Sequence, residues 1–374
     1  MFIQSSLSNQ STFFQKIRSI DYLLIFTVIA IGVISCFAMY STDGGELNYH
    51  TKNHAIRLGL FFSLMMFISF INIKTWHSLG YVFYLIVLGL LIWASLFGIT
   101  ASGSQRWINL YFINLQPSEL MKIAIILCFA KYYHRIQLSN VNKLKNIVIP
   151  ILIIFIPTAL VISQPDLGTS VLIVLSGIIV LWLAGVNIKY FFYSSIAFII
   201  SAPFVISFLK PYQKLRILTF FDPDKDPLGA GYQIIQSKIA VGSGGLTGKG
   251  FLKGTQGYLE FLPEKHTDFI FTLFSEEFGF VGSLVLLILY AILIFRIIRI
   301  GALSRSFFGK FFCYGFGSAI FVYVTVNMSM VLGLLPIVGS PLPILSYGGS
   351  SMLATMIGLG IVMSTKIYSR QLIS

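Results

Sequence analysis

The residues with chemistry to offer here are acids and cations standing in or beside apolar runs. Asp268 closes the stretch LPEKHTDFIF, where a charged loop passes into a long apolar segment. A carboxylate beside lipid is costly unless something pairs with it or uses it. At a boundary between water and lipid, partial desolvation makes a carboxylate a better proton acceptor, which suits a general base. The competing reading is a helix N-terminal acid stabilised by the macrodipole. Lys265 and His266 are the nearby candidates for a cationic partner. Glu276 and Glu277 follow about two helical turns further in, roughly on the side of Asp268. They either pair with a basic residue of another segment or line a cavity.

A second group lies upstream. Glu119 and Lys122 sit in QPSELMK at spacing i, i+3, so they share a helix face. Asp166 sits in QPDLGTS, between two apolar segments. Charges in a membrane tend to pair, so the three read as a structural charge cluster. The functional alternative has Lys122 facing a cavity and binding an anionic headgroup. The stretch GSGGLTGKG invites a phosphate-loop reading, which fails in detail. Position 243 is Ser, and Gly250 follows Lys249 where Ser or Thr is required. It reads instead as a flexible hinge, or as a backbone nest for a lipid-borne phosphate.

The elements that must position these residues follow from composition. Of 374 residues, 56% are hydrophobic and only 10% charged, and the mean hydropathy is +0.85. These values exclude a soluble multidomain chain and give an integral membrane protein. The net charge of +13 is scattered between apolar segments, so topology explains it and nucleic-acid binding does not. Cys36, Cys128 and Cys313 each lie inside an apolar segment and form neither a disulfide framework nor a metal cluster.

The fold expected is all-α and polytopic, with spans at 21–41, 55–71, 77–98, 117–134, 147–163, 167–185, 190–209, 268–297, 308–335 and 345–367. Lys16 and Arg18 precede the first span, which reads as an uncleaved helix with a cytoplasmic N-terminus. With both termini cytoplasmic, the short outer loops carry only Lys52, Arg57, Arg106 and Lys122, as the positive-inside rule asks. The segment 210–267 then becomes one long extracytoplasmic loop within a single membrane domain spanning 1–374, and a loop that long is usually functional or disordered. Residues Tyr232 to Val241 suit a short amphipathic helix at the interface. The run GLLPIVGSPLPILSYGGSS is broken by proline and glycine. Irregular backbone at membrane depth is tolerated only in protein or against a cavity, so this run shapes a site or packs helices.

NMSMVLGLLPIVGSPLPILSYGGSS resembles the signature of the SEDS family (shape, elongation, division and sporulation), and ASGSQRWINL, INLQPSELMK, SQPDLGTS, GSGGLTGKG and LEFLPEKHTDFIF extend the resemblance in family order along nearly the whole chain. GTQGYLEFLPEKHTDFIFTLFSEEFGF is similar to the elongation branch more than to the division branch. Ser329 departs from the Gly or Ala frequent there, but it is still small. The resemblance implies an inverting peptidoglycan glycosyltransferase of the bacterial cytoplasmic membrane, with ten spans and an active site on the extracytoplasmic side. Such an enzyme polymerises lipid II and releases undecaprenyl pyrophosphate. It implies Asp268 as the base, Glu119, Lys122 and Asp166 as important charged positions, and Arg106 and Trp107 as a loop motif near the cavity. Arg106, Lys122 and Lys249 are the candidate cations for the leaving group, and His266 is counted with the substrate-binding residues. The resemblance also admits a divalent cation, magnesium or manganese, with no ligands assigned. The implied partners are a class B penicillin-binding protein of the PBP2 type and the elongation complex with MreC and MreD. The rival readings are a lipid II flippase and a non-catalytic scaffold of the wall machinery.

Overall fold

The structure is a computed structural model that describes residues 13–101, 104–110, 114–208, 211–222, 229–255 and 264–373. After a short helix α1 (Phe13–Arg18), it runs through α2 (Tyr22–Thr42), α3 (Tyr49–Ser69), α4 (Ile73–Phe97), α5 (Pro117–His134), α6 (Leu144–Ser163), α7 (Leu167–Leu183) and α8 (Ile188–Phe208). Then come α9 (Pro211–Phe221), α10 (Ala230–Ser243), α11 (Ile270–Leu303), α12 (Phe307–Val331) and α13 (Gly349–Ile367). All ten expected apolar segments are helical. Six of these helices are long and apolar enough to cross a membrane: α2, α4, α6, α11, α12 and α13. Large apolar side chains such as Leu85, Trp93, Phe155 and Phe198 stand exposed on the outer helices, as a lipid-facing surface requires.

The chain is not wholly α-helical. Between α4 and α5 lies a three-stranded antiparallel sheet, β1 (Ile99–Ala101) beside β2 (Ser104–Asn109) beside β3 (Asn114–Leu115). Strands this short show no alternating pattern, so the sequence reads here only as a short outer loop between two spans.

Local signals set the helix starts. Asp21 caps α2 by accepting from Leu24 N at 3.0 Å, and its carboxylate is ion-paired to Arg296 of α11. Pro117 opens α5 at a position where the missing N–H costs nothing. Residues 117–130 of α5 are buried all round, which makes α5 the central helix of the bundle. Cys128 and Cys313 are buried and Cys36 partly so, all with free thiols, as small hydrophobes should be.

The glycine-rich GSGGLTGKG stretch corrects an expectation. It is not a hinge but an insert in a broken helix. At Gly279 the backbone of α11 turns to φ 64°. In an unbroken helix, Phe280 and Val281 would donate to the carbonyls of Glu276 and Glu277. Here Phe280 N donates to Gly245 O (2.9 Å) and Val281 N to Leu246 O (3.1 Å). The freed Glu276 and Glu277 carbonyls accept from Lys249 N and Gly250 N, both at 3.0 Å. The loop thus repairs the break it occupies, supplying partners for two donors and two acceptors of the interrupted helix.

Gly248 is required there by space as well as by its φ of +82°, since a Cβ would lie 2.0 Å from Glu277 O. Gly248→Ala is therefore expected to lose about 2 kcal/mol or more of stability, read as a lower melting temperature in detergent. A melting temperature equal to that of the parent protein would refute the insert's role. Upstream, α10 covers the expected Tyr232 to Val241 helix and packs on α11, with Ser237 bonded to Thr272 (2.8 Å) and Val331 O (2.8 Å).

Candidate active site

The site is built around the turn 264–269 that leads into α11. Phe269 and Ile270 are buried and anchor the turn, which leaves Asp268 half-buried at its end. Three consecutive carbonyls of this turn are held from outside. Tyr347 N donates to His266 O (2.9 Å), Ser346 Oγ to Thr267 O (2.7 Å) and Asn327 Nδ2 to Asp268 O (2.9 Å). The donors come from the end of α12 and from the broken segment 332–348. That segment is itself fixed by Asn327 Nδ2 on Ser340 O (2.6 Å), Ser346 Oγ under Leu342 N (2.8 Å) and Tyr290 Oη on Pro343 O (2.6 Å). Ile344 within it holds a φ of 70°, a costly conformation for a β-branched residue that only such surroundings maintain. The interrupted motif therefore shapes the site, one of the two roles its composition allowed. The Asp268 carboxylate lies against Gly339, where an added Cβ would stand 3.5 Å from Oδ2.

Asn327 is the functional residue that sequence reading passed over. It is fully buried in α12, and its amide ties both Asp268 O and Ser340 O. The only sequence signal is one amide inside an apolar run, which does not say what it bonds. Asn327→Leu is expected to keep the fold and to lower turnover by on the order of 10²-fold through misplacement of Asp268. The check is turnover measured beside substrate binding. A drop in binding with unchanged turnover would contradict a positioning role.

A cavity of about 590 Å³ opens beside this turn, lined among others by Asp43, His50, Lys265, His266, Glu276 and Glu277. Asp268 is not among its lining residues; it faces the 332–348 segment two residues beyond His266. Glu276 is fully buried and accepts from Lys249 Nζ (2.6 Å), Thr255 Oγ1 (2.9 Å) and Thr255 N (2.9 Å). Its basic partner thus comes from the inserted loop and not from another span. Glu277 accepts from Ser41 Oγ at the end of α2. Both acids line the cavity, the second of the two alternatives expected of them, and the pairing of Glu276 is with a loop lysine where a basic residue of another span was expected. Tyr347 packs edge-on to His50, with Arg57 5.0 Å from its ring.

The expected Glu119–Lys122–Asp166 cluster is two separate pairs. Lys122 Nζ bonds Glu119 Oε1 at 2.8 Å, and both side chains are buried beneath the Tyr323 ring, 4.3 Å from Nζ. Asp166 instead accepts from Arg106 (2.7 Å) and Gln116 Nε2 (3.0 Å), and it caps α7 at Thr169 N (3.2 Å). The physical reason is the sheet: β2 carries Arg106 over the start of α7, nearer to Asp166 than Lys122 comes. Arg106 also lies 5.9 Å from the ring of Trp107. Each of the three expected leaving-group cations, Arg106, Lys122 and Lys249, thus has a carboxylate partner. Asp43, His50 and His266 bring three potential metal-ligating atoms within 4.8 Å of one another at the cavity wall.

A bundle of apolar helices around a buried charged helix, with a polar cavity beside a clamped acidic turn, defines a multi-pass membrane protein. The sequence profile of the cell cycle protein family FtsW/RodA/SpoVE matches residues 15–371. The chain is 42% identical over 369 residues to peptidoglycan glycosyltransferase MrdB of Escherichia coli (strain K12), covering 97% of this chain and 98% of that protein. It is 34% identical to stage V sporulation protein E of Bacillus subtilis (strain 168), covering 95% and 99%. A chain in a solved structure described as structural coordination of polymerization and crosslinking by a peptidoglycan synthase complex superposes at TM-score 0.81 with 30% identity, covering 94% and 99%. Rod shape determining protein RodA of Thermus thermophilus superposes at TM-score 0.71 with 25% identity, covering 94% and 98%. This chain belongs to the FtsW/RodA/SpoVE family, the SEDS proteins. Its likeness is greater to MrdB at 42% than to the probable FtsW of Coxiella burnetii (strain RSA 493 / Nine Mile phase I) at 36%, in keeping with the elongation branch.

Proposed function

We infer that this protein is a peptidoglycan glycosyltransferase that polymerises lipid II during elongation, with Asp268 as its general base. The observation that carries the base assignment is the clamp on His266, Thr267 and Asp268, since a base must be held where it meets its proton. In the reaction a sugar hydroxyl attacks the anomeric carbon of a second lipid-linked unit. The new glycosidic C–O bond forms as the bond to pyrophosphate breaks. The hydroxyl proton passes to the Asp268 carboxylate, and undecaprenyl pyrophosphate leaves with the electron pair. The leaving group is already an anion, so it needs positive charge nearby and not an acid. Lys265, on the cavity wall, adds to the candidate cations. A divalent cation, when bound, would supply the same kind of charge, and Asp43, His50 and His266 are the residues that would hold it.

In this reading the ten apolar helices all span the membrane, both termini are cytoplasmic, and the cavity and the 210–267 segment face outward. Parts of that segment, 210, 223–228 and 256–263, lie outside the described residues. The lipid tail stays in the bilayer while the sugar head reaches the turn at Asp268. The exposed apolar helix faces offer room for a class B penicillin-binding protein of the PBP2 type, within an assembly that includes MreC and MreD. The test is purified protein with that partner, labelled lipid II and divalent cation. Glycan chains are the expected product. Absence of chains from folded protein with its partner would overturn the reading, and lipid II transfer across vesicles would then favour a flippase.

A further inference from the structure

Arg106, Lys122 and Lys249 each face a carboxylate. Lys238 does not. It is an exposed residue of α10, and among the described residues neither an ion pair nor a hydrogen bond holds its ammonium. Its place is nevertheless fixed. The neighbouring Ser237 is fully buried, donates to Val331 O of α12 (2.8 Å) and is hydrogen-bonded to Thr272 Oγ1 of α11 (2.8 Å). Thr272 stands four residues after Asp268, and Val331 four after Asn327, which holds the Asp268 carbonyl. From that anchor the Lys238 side chain folds over Gly333 at the start of the broken segment. An added Cβ on Gly333 would stand 2.1 Å from Lys238 Cε and 2.7 Å from Nζ, so only a bare backbone leaves room for the ammonium.

A lysine at a helix C-terminus ordinarily serves the last carbonyls of that helix. At the end of α12 those carbonyls already have donors. Met328 O accepts from Leu332 N (3.0 Å), Ser329 O from Leu334 N (2.8 Å), Met330 O from Gly333 N (3.0 Å) and Val331 O from Ser237 Oγ (2.8 Å). The ammonium keeps its three N–H donors for a ligand. The surface around it is apolar. Leu332 and Leu334 flank Gly333, Ile239 follows Lys238, and all three side chains are exposed. A cation bordered by bare apolar side chains, next to the turn that carries the base, suits an amphiphile with an anionic head and a hydrocarbon tail.

We propose that Lys238 binds the diphosphate of the polyprenyl-linked unit whose anomeric carbon is attacked, with the first part of the tail lying on Leu332, Leu334 and Ile239. The assignment rests on the function proposed above. As the anomeric C–O bond breaks, its electron pair stays on the diphosphate oxygen. The ammonium stabilises the charge there and gives up no proton. A bilayer phospholipid offers the same phosphate chemistry, and the two sources are separated by the choice of lipid.

The full-length wild type, Lys238→Met and Lys238→Arg are purified in neutral detergent and titrated with undecaprenyl pyrophosphate, undecaprenol and phosphatidylglycerol. Lys238→Met should bind undecaprenyl pyrophosphate about tenfold more weakly, the effect of losing one hydrogen bond to a charged group. It should bind undecaprenol as the wild type does. Lys238→Arg should stay within about threefold of the wild type, since it keeps the charge and the donors. All three should melt alike, because the ammonium holds nothing in the folded chain. Equal binding of undecaprenyl pyrophosphate by wild type and Lys238→Met overturns the assignment. So does an equal loss of phosphatidylglycerol, which makes the site an ordinary phospholipid contact. A lower melting temperature with binding unchanged makes Lys238 structural and also overturns it. Polymerisation of labelled lipid II with the penicillin-binding partner separates this inference from the enzyme reading. Glycan made at the same rate by wild type and Lys238→Met refutes the inference alone. Wild type that makes no glycan, but binds undecaprenyl pyrophosphate through Lys238, supports the inference and refutes the enzyme reading.

Discussion

Asp268→Asn is expected to lower glycan polymerisation by roughly 10²–10⁴-fold, the ordinary contribution of a positioned general base. The substitution is nearly isosteric and keeps the backbone carbonyl that Asn327 holds, so the turn should stay in place. Melting temperature and lipid II binding should therefore match the wild type, and the loss should appear in turnover. The mechanism gives the reason. A sugar hydroxyl is a weak nucleophile near neutral pH, and an amide cannot take its proton. Near-normal polymerisation by Asp268→Asn would remove the base assignment. A loss shared equally by binding and melting temperature would make Asp268 a structural residue, as the helix-terminus reading holds.

Lys122→Met is expected to destabilise the protein by about 3–5 kcal/mol, because it leaves the Glu119 carboxylate buried without its ion pair. The pair lies in the most enclosed helix of the bundle, with both side chains about one-twentieth exposed. Replacing both members, Glu119→Gln with Lys122→Met, should recover much of that loss, since two apolar or neutral groups carry no uncompensated charge. Thermal melting in detergent across the four proteins of the cycle gives the coupling between the positions. If Lys122→Met melts like the wild type but binds lipid II weakly, the lysine serves an anionic headgroup and the structural reading fails.

Much of this protein was legible before any coordinates. Membrane character and the positions of the apolar helices follow from hydropathy, which is a local and additive property. The helix 117–134 begins and ends where the sequence places it. The clamp built by GLLPIVGSPLPILSYGGSS was also signalled, because prolines and glycines inside an apolar run must be explained by what they line. The sheet around Arg106 was not visible, since three short strands leave almost no periodicity.

By itself, then, the sequence determined that the chain lies in a membrane, where its helices run, and which few acids stand in costly surroundings. Partner choice was left to the tertiary structure. Asp166 pairs with Arg106 and not with Lys122, Glu276 with Lys249 of an inserted loop, and Asp43 meets His50 and His266 at one cavity wall. Asn327 reaches Asp268 across 59 positions. Charges and amides are selected by distance and direction in space, and periodicity along a chain carries neither for residues that far apart. Only the packing of helices, sheet and inserted loop against one another fixes both.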